Sequence, residues 1–245
     1  MARLAASAAI LLGLLAPAAA GDAATFAPIG FSGDGRYFAF EEFGIQDGSG
    51  FSFANIYLVD VAQDRWVGGS PWRVMRQTDG GPVALARDAA HQKAEAALAE
   101  FDVTAPATFT ALNGDGEILP DNGATLTFGR PGFAMGGPTN LVTLSLTTTT
   151  PPPGNPDCLN YMDEPPVGFE LRAMREDGSN SLLYADDTVP RSRGCAVGYK
   201  LYAVVGPTEW YWFDKTPIAI ISVYSHGFEG PDRRFIAVPL PDLVE

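Results

Sequence analysis

The chain has 245 residues, with 16 Lys and Arg against 29 Asp and Glu, so its formal net charge is −13 at pH 7. An acidic surface of this kind repels phosphate groups and argues against nucleic-acid or anionic-lipid partners. Only two His and two Cys are present, too few for a zinc cluster of those residues, and we expect neither a metal nor a cofactor.

The N-terminal residues have the pattern of a cleaved signal peptide, residues 1–20. Arg3 gives a short positive region, residues 8–15 are apolar but too few to span a bilayer, and residues 18–20 are small alanines suited to a cleavage site. A retained N-terminal anchor is the alternative, against which the break in the apolar run argues. We expect cleavage before Gly21, a secreted or periplasmic protein, and no membrane span after signal removal.

Runs of aromatic and β-branched residues predict the first strands of the mature chain. Residues 36–43 and 55–61 are such runs, and the polar, glycine-bearing loop 44–50 lies between them. Together they predict a β-hairpin with a long tip. Residues 72–76 alternate and predict a third strand.

One segment has the period of a helix. Between Val83 and Phe101, apolar side chains recur at helical spacing, alanine is frequent, and Pro82 stands where a first helical turn begins. The pattern predicts one α-helix over about 83–101. His91 lies near the edge of its apolar stripe, where a surface histidine is expected.

Short strand-like runs resume after the helix and define the fold class. They cover residues 107–112, 124–128, 140–147, 167–173, 181–184, 197–205, 217–224 and 234–238. About a dozen short strands with one helix predict a mainly β fold, either a β-sandwich or an incomplete propeller-like stack. We expect a single domain over 21–245; the alternative is two lobes, 21–149 and 157–245, joined by the Thr- and Pro-rich loop 147–156.

Export places Cys158 and Cys195 in an oxidising compartment. They lie 37 positions apart with no third cysteine to compete, which predicts a structural disulfide. Closing that loop stabilises a fold by about 4 kcal/mol in the chain-entropy model. The alternative is a reactive Cys195 thiol beside Arg193, although no C-x-x-C motif supports it.

Familiar catalytic signatures are missing from the sequence: we find no G-x-S-x-G, no H-E-x-x-H and no phosphate-binding G-x-x-x-x-G-K motif. Two carboxylate pairs remain candidates for glycosidase-like chemistry, Glu229 with Asp232 and Glu41 with Glu42. Asp-Gly dipeptides recur, as at Asp115, and indicate tight turns in preference to calcium loops.

The tip 227–234 is the most unusual stretch, because it combines two carboxylates, two guanidiniums and a rigid proline turn. It is either a recognition loop or a self-paired hairpin tip whose carboxylates neutralise the arginines. The aromatic run 210–213 is a further candidate for an exposed patch. Our candidate binding residues are His226, Phe228, Glu229, Asp232, Arg233, Arg234 and Asp47.

Two resemblances to known families follow from these segments. Residues 31–40 with 55–60 resemble a single blade of the TolB-type β-propellers. The hairpin 34–50, residues 190–195 and the tip 227–234 together resemble, over nearly the whole mature chain, a bacterial family of predicted secreted proteins of unknown function. This second resemblance implies export and a shared fold, and it supplies no activity or catalytic residues.

The sequence as a whole predicts an exported protein of the bacterial envelope. We expect a non-enzymatic binding or interaction module whose partner is an unknown protein or small molecule in the cell envelope. The alternative is a secreted hydrolase that uses one of the two carboxylate pairs.

Overall fold

A computed structural model of the chain describes residues 21–130, 136–160, 162–208, 215–241 and 243. The predicted signal peptide 1–20 and the aromatic run 210–213 lie outside the described residues. Within those ranges the chain forms fourteen strands and one α-helix. The predicted mainly β fold with a single helix is confirmed.

The helix and strands have the following bounds. The helix α1 is Val83–Glu100 and ends one residue before the predicted Phe101. The strands are β1 (Thr25–Ser32), β2 (Tyr37–Ile45), β3 (Phe51–Asp60), β4 (Arg65–Trp66), β5 (Trp72–Asp79), β6 (Val103–Ala105), β7 (Ala107–Leu112), β8 (Thr125–Arg130), β9 (Thr139–Thr149), β10 (Gly168–Arg175), β11 (Asn180–Ala185), β12 (Ala196–Pro207), β13 (Ile218–Ser225) and β14 (Asp232–Pro239).

The strands form three antiparallel sheets. Sheet I has the order β4-β3-β2-β1-β6, and β5 pairs with the other half of the β3 edge. Sheet II has the order β11-β10-β9-β8, and sheet III has the order β14-β13-β12-β7. The predicted N-terminal hairpin is the β2–β3 pair of sheet I.

Sheet III lies in the middle of the stack and is buried on both faces. Along β13, Ile218 and Ile220 pack into the core shared with sheet I, whereas Ala219, Ile221 and Val223 pack into the core shared with sheet II. Because side chains alternate between the faces of a strand, a strand buried on both sides needs a continuous apolar run. The layers are therefore sheet II, sheet III, sheet I and α1, a sandwich-like stack.

The helix covers the outer face of sheet I through small side chains. Ala86, Ala90 and Ala94 recur every four residues, lie on one helix face and are buried against Ala54 and Ile56 of β3. Their short side chains let the helix backbone approach the sheet closely. The burial of this apolar face stabilises α1 more than its intrinsic helix propensity does.

Glu41 of β2 is buried in this helix–sheet interface. Arg87 donates to both carboxylate oxygens of Glu41, and His91 Nε2 lies 3.3 Å from Oε2. The Arg87 guanidinium also lies 4.1 Å from the centre of the Phe43 ring. His91, expected on the surface, is thus partly buried and contributes to a charged contact between α1 and sheet I.

The Thr- and Pro-rich segment 147–156 leads from β9 towards β10, which are neighbours in sheet II. Sheet III likewise combines β7 with strands that follow this segment. A division at 147–156 therefore does not separate the sheets from one another. The predicted disulfide is confirmed, because Cys158 and Cys195 are bonded with their Cα atoms 5.5 Å apart.

Arg193, two residues before Cys195, is the most deeply buried arginine of the described ranges. Its Nη1 donates to Asp186 at 2.6 Å, and its Nη2 donates to the Tyr184 hydroxyl at 2.7 Å. The guanidinium lies 4.8 Å from the centre of the Phe169 ring. The paired carboxylate and the aromatic neighbours offset the cost of burying the Arg193 charge. Removing one partner of such a pair is strongly destabilising, because the other charge stays buried and unpaired.

We predict that Arg193→Ala lowers the free energy of unfolding by about 3–5 kcal/mol, because it leaves the Asp186 carboxylate buried and unpaired. The matched control is Arg172→Ala, which removes an exposed pair with Glu170 and should cost less than about 1 kcal/mol. Urea denaturation with the disulfide intact measures both. Equal losses for the two variants would contradict the buried-pair interpretation.

Candidate functional site

The end of the predicted tip projects into solvent. Phe228 is 100% exposed, and Glu229 and His226 are exposed as well. The backbone N–H of His226 donates to the Cys195 carbonyl at 2.8 Å, which anchors the base of the tip beside the disulfide. The structure therefore holds the base of this tip and leaves its large apolar side chain, Phe228, uncovered.

The buried Asp22 joins three of the predicted binding residues. Its carboxylate accepts the backbone N–H of Asp47 at 2.5 Å and Nη2 of Arg234 at 3.1 Å. Its own backbone N–H donates to the Asp232 carboxylate at 2.9 Å. The loop 44–50 and the tip thus meet at a residue that the sequence analysis did not single out.

Arg233 pairs with Asp115, at distances of 2.5 and 2.9 Å, and also donates to the Ala24 carbonyl. The two arginines of the tip therefore find their carboxylate partners at Asp115 and Asp22, and the tip's own carboxylates do not neutralise them as the self-paired interpretation expected. The contact also occupies both carboxylate oxygens of Asp115 within its Asp-Gly turn.

A cleft runs along the free edge of β14, where the three sheets meet. We call it the β14 cleft. It consists of two adjoining cavities of about 240 and 180 Å³ that share Trp66, Ser192, Arg193 and Ile236. Sheet I forms one wall, Tyr184 and the turn 190–194 form the other, and residues 234–238 of β14 form the floor. Concave sites between structural elements are where ligands most often bind.

Glu42 lies at the bottom of the β14 cleft and is 1% exposed. Its carboxylate accepts Asn55 Nδ2 at 2.9 Å, the Tyr57 hydroxyl at 2.7 Å and the backbone N–H of Phe235 at 2.9 Å. Arg234 Nε lies 4.0 Å away. Burial and the Glu42 charge raise the pKa of Tyr57 above its ordinary value, so its hydroxyl stays protonated and donates.

The two carboxylate pairs considered for hydrolysis are not brought together across a cleft. Glu41 and Glu42 are adjacent on β2 and point to opposite faces of sheet I, towards α1 and sheet III respectively. Glu229 is exposed at the tip, whereas Asp232 holds the backbone of Asp22. Neither arrangement places two carboxyls on facing walls, which glycoside hydrolysis requires.

The β14 cleft contains arginines that form no ion pair, beside the lining carboxylates Glu42 and Asp64. Arg65 and Arg73 line it, both are exposed, and neither has a carboxylate partner among the described residues. The other two arginines of the lining are paired as described above. Desolvation raises the pKa of the lining residue Asp64, and the Arg193 guanidinium partly offsets this rise.

A family model of predicted secreted proteins, DUF2259, matches residues 39–240. The chain belongs to this family. The DUF2259 match spans β3 to β14 and α1, and it confirms both the family resemblance and the predicted secreted location. Searches of the curated proteins and of the solved structures give no significant match.

The helix of the described residues is too short or too polar to cross a membrane. In the same ranges, no three His, Cys, Asp or Glu side chains are grouped as a metal ion would require.

Some residues of the cleft left a signal in the sequence and others did not. The sequence pattern presents Glu42 as a catalytic partner of Glu41, although a carboxylate inside an apolar strand also indicates a buried hydrogen-bond centre. Trp66 and Arg73 follow β3 in the chain and reach the cleft only through their pairing with it. No local pattern marks such a position.

We predict that Glu42→Gln lowers the free energy of unfolding by about 1–3 kcal/mol, because a buried amide cannot accept all three donors that the carboxylate accepts. Glu229→Gln, an identical change at the exposed tip, should stay within about 0.5 kcal/mol of the unmodified protein. Both values come from urea denaturation at pH 7. A loss at Glu229 as large as that at Glu42 would contradict the assignment.

A second prediction concerns Asp115. The hydrogen bond from Arg233 lowers the pKa of the Asp115 carboxyl below its ordinary value of 3.8. The stabilisation is therefore present above pH ~4 and is lost as the pH falls through the lowered pKa. Asp115→Asn should cost less than about 1 kcal/mol, because the carboxylate is half-exposed.

The measurement is the free energy of unfolding of both proteins between pH 2.5 and 6. The difference between them should be largest at the upper end and shrink towards the lower end. Added salt should reduce it further by screening. A difference that does not change with pH would show that the ion pair does not stabilise the fold.

Proposed function

We propose that this protein is an exported, non-enzymatic binding module of the bacterial cell envelope and that the β14 cleft is its binding site. The observation that carries the proposal is the composition of the cleft. It combines a buried hydrogen-bond centre at Glu42, an aromatic wall at Trp66 and the unpaired cation Arg73 at the junction of three sheets.

The fold supports a rigid site. The turn 190–194 that forms one wall is held by the Cys158–Cys195 disulfide and by the Arg193–Asp186 pair. The opposite wall belongs to sheet I, which α1 supports from behind. Binding groups on braced elements lose little conformational entropy when a ligand arrives, which favours affinity.

The charge of the cleft supports a ligand with a negative group. The chain carries a formal charge of −13, yet the unpaired side chains of the cleft include two arginines, Arg65 and Arg73. A guanidinium without a carboxylate partner favours a ligand that brings a carboxylate to it.

Site-specific photo-crosslinking tests this proposal. A photoreactive phenylalanine analogue replaces Trp66 in the cleft, Phe228 at the tip or, as a background control, Ile118, which is 97% exposed. Each variant is incubated with periplasmic extract of the producing cells and irradiated, and its adducts are identified by mass spectrometry. We expect a specific adduct at position 66 and none at position 118.

Two results would overturn the proposal. An adduct confined to position 228 would make the exposed tip the contact surface instead of the cleft. If no position yields an adduct above background, the protein does not act as a binding module for a component of that extract.

A further inference from the structure

The floor of the β14 cleft is an open sheet edge. On β14, the backbone N–H and carbonyl of Arg233 both bond away from β13, to Asp22 and Ala24. Because the direction of backbone bonding alternates along an antiparallel strand, the N–H and carbonyl groups of Phe235 and Ala237 also point away from β13. The N–H of Phe235 follows this rule and donates to Glu42.

The first part of this edge is already used by the chain itself. Ala24 N–H donates to the Arg233 carbonyl at 3.2 Å, and Arg233 N–H donates to the Asp22 carbonyl at 2.7 Å. Ala23 and Arg233 thereby form a parallel bridge. The edge of β14 is thus geometrically competent to accept an extended segment, and residues 22–24 occupy only its beginning.

The next part of the edge is unoccupied by backbone. The Phe235 carbonyl and both backbone groups of Ala237 form no hydrogen bond with any part of the chain that the structure describes. These residues line the β14 cleft. Pro239, which has no N–H, ends the usable edge.

The side chains around this open edge suit a peptide. Trp66 is 38% exposed, and its ring lies 5.5 Å from the ring of Tyr57. It therefore offers an apolar surface to a side chain of an added strand. Ile236 lines both cavities. The guanidinium of Arg73 supplies an unpaired charge in the cavity that Phe235 and Ile236 also line, next to the cavity lined by Ala237.

We propose that the β14 cleft binds an extended peptide segment of another exported protein, added as a strand beside residues 235–237 with an acidic side chain at Arg73. The inference rests on the proposed function and names its ligand class. Strand addition explains why backbone groups and an unpaired cation share one recess. A small carboxylate would satisfy Arg73 and leave the backbone groups of Ala237 unused.

The test uses a defined probe, a fluorescein-labelled acetyl-Thr-Val-Glu-Val-Thr amide, chosen for its β-branched residues and central carboxylate. Its binding to the purified mature protein is followed by fluorescence anisotropy. Replacing the central Glu with Gln should weaken binding about tenfold, because the loss of one charge-assisted hydrogen bond typically lowers affinity by about that factor.

N-methylation of the peptide amides, one at a time, separates strand addition from simple anion binding. In an added strand only alternate amides face β14. We therefore expect a period-two pattern, in which every second N-methyl group weakens binding about tenfold and the others change little. This scan uses the unmodified protein, so it does not depend on any variant folding.

Protein variants locate the contact. Arg73→Gln should abolish the preference for the Glu peptide over the Gln peptide, whereas Arg172→Gln, the same change on sheet II, should leave that preference unchanged. Ala237→Pro removes the outward N–H and should therefore weaken the binding of both peptides. The variant should still fold, because an edge strand tolerates proline where the N–H faces outward.

Three results would overturn the inference while leaving the proposed function standing, provided that cross-linking at position 66 still yields its adduct. They are equal effects of every N-methyl group, an unchanged Glu preference in Arg73→Gln, and no binding of either peptide. The first identifies an anion site without strand addition. Loss of the adduct at position 66 would instead reject the proposed function itself.

Discussion

The structure depends on the burial of sheet III on both of its faces. A strand such as β13 contributes Ile220 to one core and Ile221 to the other, so it has no face left for charged side chains. Apart from Lys200 of β12, the charged side chains of this sheet lie on its edge strand, β14. Because β14 also has backbone groups to satisfy on its outer side, charge and unpaired backbone meet in the same place.

The edge of β14 is protected by several different devices along its length. Residues 22–24 add a short parallel segment, the Glu42 carboxylate accepts the next N–H, and Pro239 ends the strand. Sheet I lies on one side of the remaining edge, and Tyr184 of sheet II with the turn 190–194 lies on the other, so this edge is recessed. A recessed edge is shielded from uncontrolled pairing with other chains, and it is the edge at which we propose that an extended segment adds.

The buried charges connect this edge to the stability of the fold. Glu42, Asp22 and Arg193 all lie beside β14 or the turn that faces it, and each has hydrogen-bonded partners. Such networks are costly when incomplete, and they specify one arrangement of the elements when complete. The groups that shape the cleft are therefore also groups that orient sheet I and sheet II around sheet III.

Local pattern in the sequence determined the elements. Period, turn residues and cysteine count predict the helix at 83–101, the β2–β3 hairpin, the apolar run at 217–224 and the Cys158–Cys195 pairing. Only the tertiary structure decided which charges meet. Asp22, Trp66 and Arg73 lie in separate segments, and no local spacing relates them to β14. Their contacts arise because burying both faces of sheet III brings sheet I, sheet II and the N-terminal segment to one edge, and that is a property of packing and not of periodicity.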